Sequence, residues 1–285
     1  MIKLGVNSVL FGKFDYATAA KRIAQAGYDG IELSALKGMG DHLNLDAWKA
    51  QKDDLKKITA DNGLEFLSME VAMLDEGRLM LAYEAAAEIG VPIVNIGSGG
   101  KSNVQEDLDA SIEKMQAMAE KAGEFGVVLA CKAHVGSAIF NTETTLYAMD
   151  KIKSKHFGID MDPSHIFRAG EAPEEALASV LPRMKHIHIR DCKSATEGLA
   201  VNPVPGRPPM GASPGTPPMQ ACGRGDINLM GYCKAMVDAK YDGPVCLEVI
   251  GASMMTSPYN EVESSIIAAE SYGYLNACLK SLGAR

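Results

Sequence analysis

The sequence predicts an α/β protein that folds as a single (β/α)8 barrel over residues 1–285, and three observations support this prediction. Short apolar runs alternate with amphipathic stretches along the whole chain, which is typical of parallel strands connected by helices. The alternation divides the chain into eight units of about 36 residues, the number and length that close a barrel. In addition, Ala26–Glu32 resembles Ala239–Glu248, because both pass from a helix end through Tyr-Asp-Gly into a strand that carries a glutamate.

Eight strands are predicted from short apolar runs that are bounded by turn residues. In order they are KLGVNSV (3–9), DGIELSA (29–35), EFLSMEV (65–71), PIVNIG (92–97), VVLACKAH (127–134), HFGIDMD (156–162), KHIHIRD (185–191) and PVCLEVI (244–250). A doubly wound open sheet is the alternative, but no GxGxxG motif follows the first strand.

Eight helices are predicted from amphipathic periodicity in the segments that follow the strands. They cover residues 15–26, 45–62, 77–89, 104–124, 142–154, 172–183, 227–240 and 259–281. The first three end in glycines, within QAGYDG, DNGLEF and EIGVPI, that suit left-handed C-caps.

The composition indicates a soluble globular protein. Hydrophobic residues make up 47% of the chain and charged residues 22%, which excludes wholesale disorder. No apolar run approaches the roughly 18–20 residues of a membrane span, and the N-terminus lacks the apolar core and cleavage site of a secretion signal. The six cysteines form no CxxC pair, so we expect reduced thiols in the cytoplasm.

The charge balance disfavours one class of partner. The chain has 28 Lys and Arg against 36 Asp and Glu, a net charge of −8, which opposes binding through phosphate neutralisation. We therefore expect a small-molecule substrate and neither nucleic acid nor a membrane as partner.

One segment interrupts the alternation of strands and helices. Residues 194–222 contain seven of the 13 prolines and four glycines without any periodicity. Because this insertion follows the seventh strand, we expect it over the C-terminal face of the barrel, where active sites lie. A lid, a docking surface for another subunit and a mobile surface insertion are the alternatives.

Ionisable side chains lie near the ends of the late strands. Strand five ends with Lys132 and His134, strand six ends with Asp162 and is followed by His165, strand seven carries His186, His188 and Arg190, and strand eight carries Glu248. Since side chains alternate along a strand, Lys132 and His134 share one face, as do His186, His188 and Arg190. Burying such groups without partners is costly, so their repetition indicates a site rather than packing. Asp, His and Glu side chains that converge at a barrel mouth can hold a divalent cation.

These motifs resemble the xylose isomerase-like TIM-barrel superfamily. The resemblance is carried by Asp162-Pro-Ser-His165, His186-Ile-His188-Ile-Arg190-Asp191, Gly223-Arg-Gly-Asp-Ile-Asn228 and Leu247-Glu248, and it covers nearly the whole chain. The superfamily includes ketose 3-epimerases, hydroxypyruvate isomerases, inosose dehydratases and apurinic-site endonucleases. The resemblance implies a set of metal ligands, roles for individual residues and a type of reaction.

The resemblance implies a divalent metal, Mn²⁺ first, with Mg²⁺, Co²⁺ or Zn²⁺ as alternatives. The usual ligands are Glu on strand five, Asp on strand six, His on strand seven and Glu on strand eight. Asp162, His188 and Glu248 match the last three, but Lys132 stands at the position of the first. Three interpretations stay open: a three-ligand metal site, an ammonium that replaces the metal, or a neutral Lys132 that serves as base or Schiff-base nucleophile.

The resemblance also suggests roles for other polar residues. Glu248 and Lys132 are the candidate groups for proton transfer, with His165 as a histidine acid. His134 matches family positions that bind substrate oxygens, and Arg190 and Glu32 are weaker candidates for substrate contacts. Asp160 is expected one layer deeper in the barrel.

The shared chemistry of the superfamily is proton abstraction next to a carbonyl. The expected function is a carbohydrate isomerase or epimerase acting on a small ketose or keto-sugar. With only one glutamate of the usual pair, 1,2-isomerisation or β-elimination fits better than two-carboxylate epimerisation.

The alternatives are a lyase, either a dehydratase or an eliminase of 3-keto-glycosides of the C-glycoside-cleaving type, and a non-catalytic barrel subunit. An abasic-site nuclease is disfavoured by the acidic charge, and homo-oligomers are common among such barrels.

Overall fold

The computed structural model describes residues 2–194, 212–213, 217–250 and 259–285. Within these ranges, eight parallel strands close into a barrel with helices outside, which confirms the predicted fold. The first strand pairs with both the second and the last, and this pairing closes the sheet. The barrel strands are β1 (Lys3–Asn7), β2 (Gly30–Ser34), β3 (Glu65–Ala72), β4 (Ile93–Gly97), β5 (Val128–Lys132), β6 (Phe157–Met161), β7 (Met184–Ile189) and β8 (Pro244–Leu247).

The helices follow the strands in the predicted order. They are α1 (Tyr16–Ala26), α2 (Trp48–Asp61), α3 (Glu76–Ile89), α4 (Gln105–Glu124), α5 (Thr142–Lys151), α6 (Pro163–Arg168), α7 (Pro173–Val180), α8 (Leu229–Asp238) and α9 (Glu261–Ser281). The one described α-helix that the periodicity did not predict is α6, because its six residues are too few to show an amphipathic repeat. Pro163 at its first turn favours this start, since a proline needs no hydrogen-bond acceptor there.

Glycine caps end two helices as predicted. Gly27 after α1 has φ 100° and Gly90 after α3 has φ 95°, both in the left-handed region. Helix α2 instead ends at Asp61 with Asn62 as its C-cap, and Gly63 adopts φ 67° one residue later. The chain therefore leaves each of these helices in a sharp turn toward the next strand.

The barrel strands present apolar side chains toward the helices and polar side chains toward the barrel interior. Between the sheet and the helices lies an apolar core that includes Leu4, Ile31, Val94, Leu129 and Ile187, each at most 1% exposed. The strand register sets polar residues side by side within the barrel: Glu32 beside Ser68, Glu70 beside Asn95, Lys132 beside Asp160, and Asp160 beside His186. This layering places the ionisable residues where the strands end.

Most of the predicted insertion 194–222 lies outside the described residues. In its described part, Lys193–Ser194 pairs antiparallel with Ala212–Ser213, and a 3₁₀ helix covers Pro217–Gln220. Among the helices of the described ranges, none combines the length and apolarity needed to cross a bilayer. All six cysteines are buried and free.

Candidate active site

The candidate site is a cavity of about 300 Å³ at the C-terminal mouth of the barrel. Its charged side is formed by Glu70, Lys132 and Glu248 from β3, β5 and the end of β8. Apolar residues also line the cavity, among them Leu36 and Met39. A pocket with converging charges and an apolar wall is suited to hold a small polar molecule in one orientation.

A larger groove of about 510 Å³ adjoins this cavity and shares Ala72 and Gly99 with it. It lies among the loops that follow β3 and β4, and its polar residues, among them Asp75, Asp107 and Lys114, come from loops and α4 rather than from the barrel interior. The smaller cavity is therefore the better candidate for the reaction, since it alone contacts the converging charges.

Lys132 stands at the centre of the charged side. Its Nζ lies 3.0 Å from Glu70 Oε1 and 2.8 Å from Glu248 Oε1, and all three side chains are at most 6% exposed. Asn7 donates a further hydrogen bond from Nδ2 to Glu70 Oε2 at 2.6 Å. Glu248 Oε2 is buried and has no hydrogen-bond partner among the described residues. One carboxylate oxygen of a residue that lines the cavity therefore has unused hydrogen-bonding capacity.

The two carboxylates have different proton affinities. Burial and the neighbouring Glu248 raise the pKa of Glu70 to about 7. Burial acts in the same direction on Glu248, but the Lys132 ammonium outweighs it and holds the pKa of this carboxyl well below its usual range. Two carboxyl groups with divergent pKa values are typical of an acid–base pair.

Lys132 itself is held in its charged form. Burial alone would lower its pKa, but the carboxylates of Glu248 and Glu70 outweigh burial and raise the pKa of Lys132 above its ordinary value. This direction argues against a neutral lysine base or Schiff-base nucleophile. The ammonium is instead a fixed positive charge within the cavity.

Beneath this cluster, His188 lies between two carboxylates. Its Nε2 is 2.5 Å from Glu32 Oε2, and its Nδ1 is 2.5 Å from Asp160 Oδ2. Although burial opposes it, these carboxylates raise the pKa of His188 well above its usual range. Asp160 lies one layer deeper than the cavity, as expected, and also accepts a hydrogen bond from His186 Nδ1 at 2.9 Å.

Glu32, which the sequence suggested as a substrate contact, is fully buried. Besides His188, it accepts a hydrogen bond from Asn95 Nδ2 at 2.7 Å through Oε1. Its carboxylate therefore faces the barrel interior and orients His188 from below.

Asp162, His165 and Arg190 form a neighbouring cluster. Asp162 caps α6 by accepting a hydrogen bond from Ser164 N at 2.8 Å, and its Oδ2 lies 3.4 Å from Arg190 Nη2. Arg190 also donates to Ser164 Oγ at 2.8 Å and to His165 Nε2 at 2.8 Å. Burial, reinforced by His134 and Arg190, holds the pKa of His165 well below its usual value, so its imidazole carries no second proton at neutral pH.

His134 lies at the rim of the cavity with an exposed side chain. Its Nδ1 donates to the carbonyl of Val135 at 2.8 Å, and its ring lies over that of His165 with 4.0 Å between the centroids. Since one nitrogen donates to the backbone, Nε2 is left as an acceptor. Such a group can bind a hydroxyl, which is the role that the sequence predicted.

The donor set fits a divalent metal only if side chains move. In the described part of the chain, two groups bring three ligand atoms within 4.8 Å of one another: Glu32 with His186 and His188, and Glu70 with His188 and Glu248. The second group also surrounds Lys132, whose ammonium already occupies the space between its carboxylates. Asp162 belongs to neither group, so the predicted set of Asp162, His188 and Glu248 is not gathered around one point.

The side chain of Asp191 holds the segment Gly223–Asn228, the motif that follows the insertion. Its carboxylate accepts hydrogen bonds from the backbone N–H groups of Cys192, Gly223 and Ile227, at 3.0, 2.9 and 3.2 Å. Gly225 lies so close that an added Cβ would stand 2.0 Å from Asp191 Oδ1. The loop therefore wraps around one buried carboxylate at the edge of the site.

We expect Gly225→Ala to reduce the free energy of unfolding by about 1–3 kcal/mol, because the new methyl group displaces this carboxylate. Urea unfolding would measure the loss. Gly77→Ala is the matched control, since its Cβ would meet its nearest neighbour at an ordinary 3.6 Å. Equal stability of the two variants would contradict this account of the loop.

Sequence reasoning missed the residues that β3 contributes. Glu70 pairs with Lys132, and Ser68 Oγ lies 2.9 Å from His186 Nε2. The signal was present in EFLSMEV, because Ser68 and Glu70 alternate with apolar residues as His186 and His188 do in β7.

Comparison with known proteins identifies the family of the chain. A family model described as a xylose isomerase-like TIM barrel matches residues 20–272. A probable endonuclease 4 of Mycoplasmopsis pulmonis is 27% identical over 146 residues, which is 47% of this chain and 49% of that protein. An inosose dehydratase of Bacillus thuringiensis is 26% identical over 89 residues, 31% of this chain and 30% of that protein. The chain thus matches half or less of the length of these curated relatives.

Solved structures share the fold across nearly the whole chain. A D-allulose 3-epimerase from Methylomonas sp. has a TM-score of 0.71 at 14% identity, covering 98% of both chains. A probable 3-DHS dehydratase from Bacillus anthracis has a TM-score of 0.73 at 14% identity, covering 96% of this chain and 99% of that one. These relatives and neighbours are all enzymes. Since the family model matches most of its length, this chain belongs to the xylose isomerase-like TIM-barrel family.

Proposed function

We propose that this chain is a carbohydrate isomerase or epimerase that removes a proton next to the carbonyl of a ketose or keto-sugar. The observation that carries the proposal is the Lys132 ammonium between two buried carboxylates at the wall of the cavity. A positive charge stabilises the enediolate that forms when the proton leaves, and carboxylates move the proton.

In this mechanism Glu248 is the base. Its Oε2 faces no protein partner among the described residues, so it can approach a substrate C–H bond. A substrate carbonyl that accepts a hydrogen bond from Lys132 draws the ammonium away from Glu248. That shift raises the basicity of the carboxylate when substrate is bound.

Glu70 is the partner acid. With a pKa of about 7, it holds a proton in a large fraction of molecules near neutral pH and can return it to the enediolate. Return to the neighbouring carbon isomerises the substrate, and return to the opposite face of the same carbon epimerises it. Glu70 supplies the second carboxyl group that the strand-five position lacks, so two-carboxylate epimerisation fits as well as isomerisation.

Glu70→Gln is expected to change the pH dependence of turnover. In the wild type, turnover should fall as the pH rises through about 7, because Glu70 then loses the proton that it donates. The glutamine variant should retain low activity without this alkaline limb. Initial rates between pH 5.5 and 9 would show it, and an unchanged limb in the variant would assign the titration to another group.

His134 and the apolar wall supply orientation. The rim imidazole accepts a hydrogen bond from a sugar hydroxyl through Nε2, and Leu36 and Met39 pack against the C–H face of the sugar. Arg190 stays tied to Asp162, His165 and Ser164, so it fixes the wall of the site from behind.

A lyase of the same class is the second candidate, either a dehydratase or an eliminase of 3-keto-glycosides. The adjoining groove of about 510 Å³ favours it, because a substrate larger than a monosaccharide would extend across Ala72 and Gly99. The same proton abstraction then expels a substituent one carbon further along.

We also propose a cytoplasmic location, which the six free, buried cysteines support.

A divalent metal, Mn²⁺ before Mg²⁺, Co²⁺ or Zn²⁺, is the alternative source of positive charge. Glu248 Oε2, which has no hydrogen-bond partner among the described residues, favours it, and when bound the metal would polarise the carbonyl as a Lewis acid. Because Lys132 already occupies the carboxylate cluster, we expect much less than one equivalent of metal in protein purified without chelator. Lys132→Glu should raise bound Mn²⁺ toward one equivalent in elemental analysis. One equivalent in the wild type, lost in His188→Ala, would identify the metal as the electrophile.

Deuterium exchange tests the proposed function without knowledge of the product. Ketoses and 3-keto-sugars would be incubated with the protein in D₂O, and the proton next to the carbonyl followed by NMR. We expect exchange with at least one of these sugars, and its loss in Glu248→Gln. Absence of exchange throughout, with no difference between the two proteins, would favour a non-catalytic barrel subunit.

A further inference from the structure

A stripe of apolar and small side chains runs along the exposed face of α9. Val262 is 65% exposed and Ile266 48%, and the exposed residues Ala269, Gly273 and Ala277 continue the stripe. Their spacing of three or four residues keeps them on one side of the helix. The opposite side packs on the barrel through Ile267, Leu275 and Leu279. The helix is therefore apolar on two faces, which a surface helix ordinarily is not.

Helix α4 provides an internal comparison, since its 20 residues nearly match the 21 of α9. Its exposed positions are mostly charged or polar, namely Gln105, Glu106, Asp109, Glu113, Lys114 and Glu120. The exposed face of α9 thus departs from the pattern of a water-facing helix of the same barrel, and this difference indicates a covered surface.

We propose that a second copy of this chain covers the stripe, with the two α9 helices antiparallel about a two-fold axis between residues 271 and 272. In that register Glu263 lies opposite Lys280 of the other copy, and Ile266 lies opposite Ala277. In this single register, opposite charges meet at both ends of the helix pair, and a large side chain packs against a small one. Such self-complementarity is a property of two-fold interfaces.

Two further features favour this arrangement. Ala269 and Gly273 lie near the axis, where their small side chains allow the two helix backbones to approach closely. Antiparallel helices also set the positive N-terminus of one against the negative C-terminus of the other. Met219, exposed on the 3₁₀ helix that packs beside α9, adds a further exposed apolar side chain close to this helix. The proposal does not depend on the proposed function.

Sedimentation equilibrium of the full chain between about 1 and 100 μM tests the interface. We expect the wild type to approach twice the chain mass of 30.3 kDa. Ile266→Glu and Ala269→Arg should each weaken association at least about a hundredfold, because each places a charge in the centre of the stripe. Leu146→Glu on α5 is the matched control, since Leu146 is also an exposed apolar residue, at 37%, and should leave association unchanged. Circular dichroism would confirm that each variant is folded.

A charge exchange tests the register. Glu263→Lys and Lys280→Glu should each weaken association, and the double variant should restore it. Glu263 also accepts a hydrogen bond from Asn260 N at the start of α9, but restoration by a change at position 280 cannot come from that cap. A wild type that stays monomeric up to the highest concentration would overturn the proposal. So would a dimer that survives both Ile266→Glu and Ala269→Arg, or a double variant that fails to recover.

Discussion

Lys132→Met should lower the rate of proton exchange by about 10²–10³-fold, the usual effect of removing a group that stabilises developing negative charge. It should also cost about 3–5 kcal/mol of stability near pH 8, because two buried carboxylates lose their shared cation. Methionine is unbranched and nearly matches the lysine side chain without its ammonium, so the loss reports mainly the missing charge.

The stability loss of Lys132→Met should depend on pH in a defined direction. Without the ammonium, we expect burial and the mutual repulsion of the two carboxylates to raise the pKa values of Glu70 and Glu248 in the folded state. Protonation then stabilises the fold, so the deficit shrinks as the pH falls toward 5 and grows as it rises toward 8. Urea unfolding at both pH values measures this difference.

Lys37→Met is the control for this variant. Lys37 pairs with Asp46 at 3.3 Å on the surface, where both side chains are more than half exposed, and such a pair contributes little to stability. A Lys132→Met variant that behaves like Lys37→Met in both activity and stability would show that the buried ammonium has neither role.

Glu248→Gln should lower proton exchange by about 10²–10⁴-fold, the range expected for loss of a general base. The amide keeps the shape of the side chain and can still accept a hydrogen bond from Lys132, so the fold should be retained. The loss should appear in kcat more than in KM, because a base acts in the transition state rather than in binding. NMR-monitored exchange with the best sugar would give both parameters.

Glu65→Gln serves as the comparison for Glu248→Gln. Glu65 lies on β3 but pairs with Lys3 at the exposed end of the strand, 60% exposed, and should have no effect on exchange. If Glu248→Gln retained full exchange while Lys132→Met lost it, the base would have to be sought in Glu70.

The sequence sufficed to predict the barrel because each strand is a short apolar run and each long helix shows periodicity. It also placed Lys132, His134 and Glu248 at the mouth, since strand ends of a parallel barrel share one face, whereas His186 and His188 of β7 lie beneath them. The sequence alone did not show which ionisable side chains pair with one another. Asp162 is drawn toward Arg190 and the first turn of α6, a helix too short for periodicity to predict.

Long-range pairing explains the other differences. Glu32 and His188 are 156 residues apart in sequence yet lie 2.5 Å apart, because β2 and β7 face each other across the barrel interior. Glu70 and Lys132 are likewise 62 positions apart in sequence, so the sequence does not show that Glu70 supplies the second carboxyl group of the site. Resemblance to a family transfers roles by position, whereas these contacts depend on how side chains distant in sequence meet inside the barrel.

The six buried cysteine thiols are natural probes of local unfolding in this protein. A thiol reagent reaches none of them while the barrel is closed, so its rate of reaction records how often each region opens. The cysteines lie on β5, after β7, before α8, on α8, on β8 and on α9, so all of them lie from the fifth strand onward. Mass spectrometry of the labelled peptides would therefore give the order in which the late strands and the closing helix separate, without the introduction of a single probe.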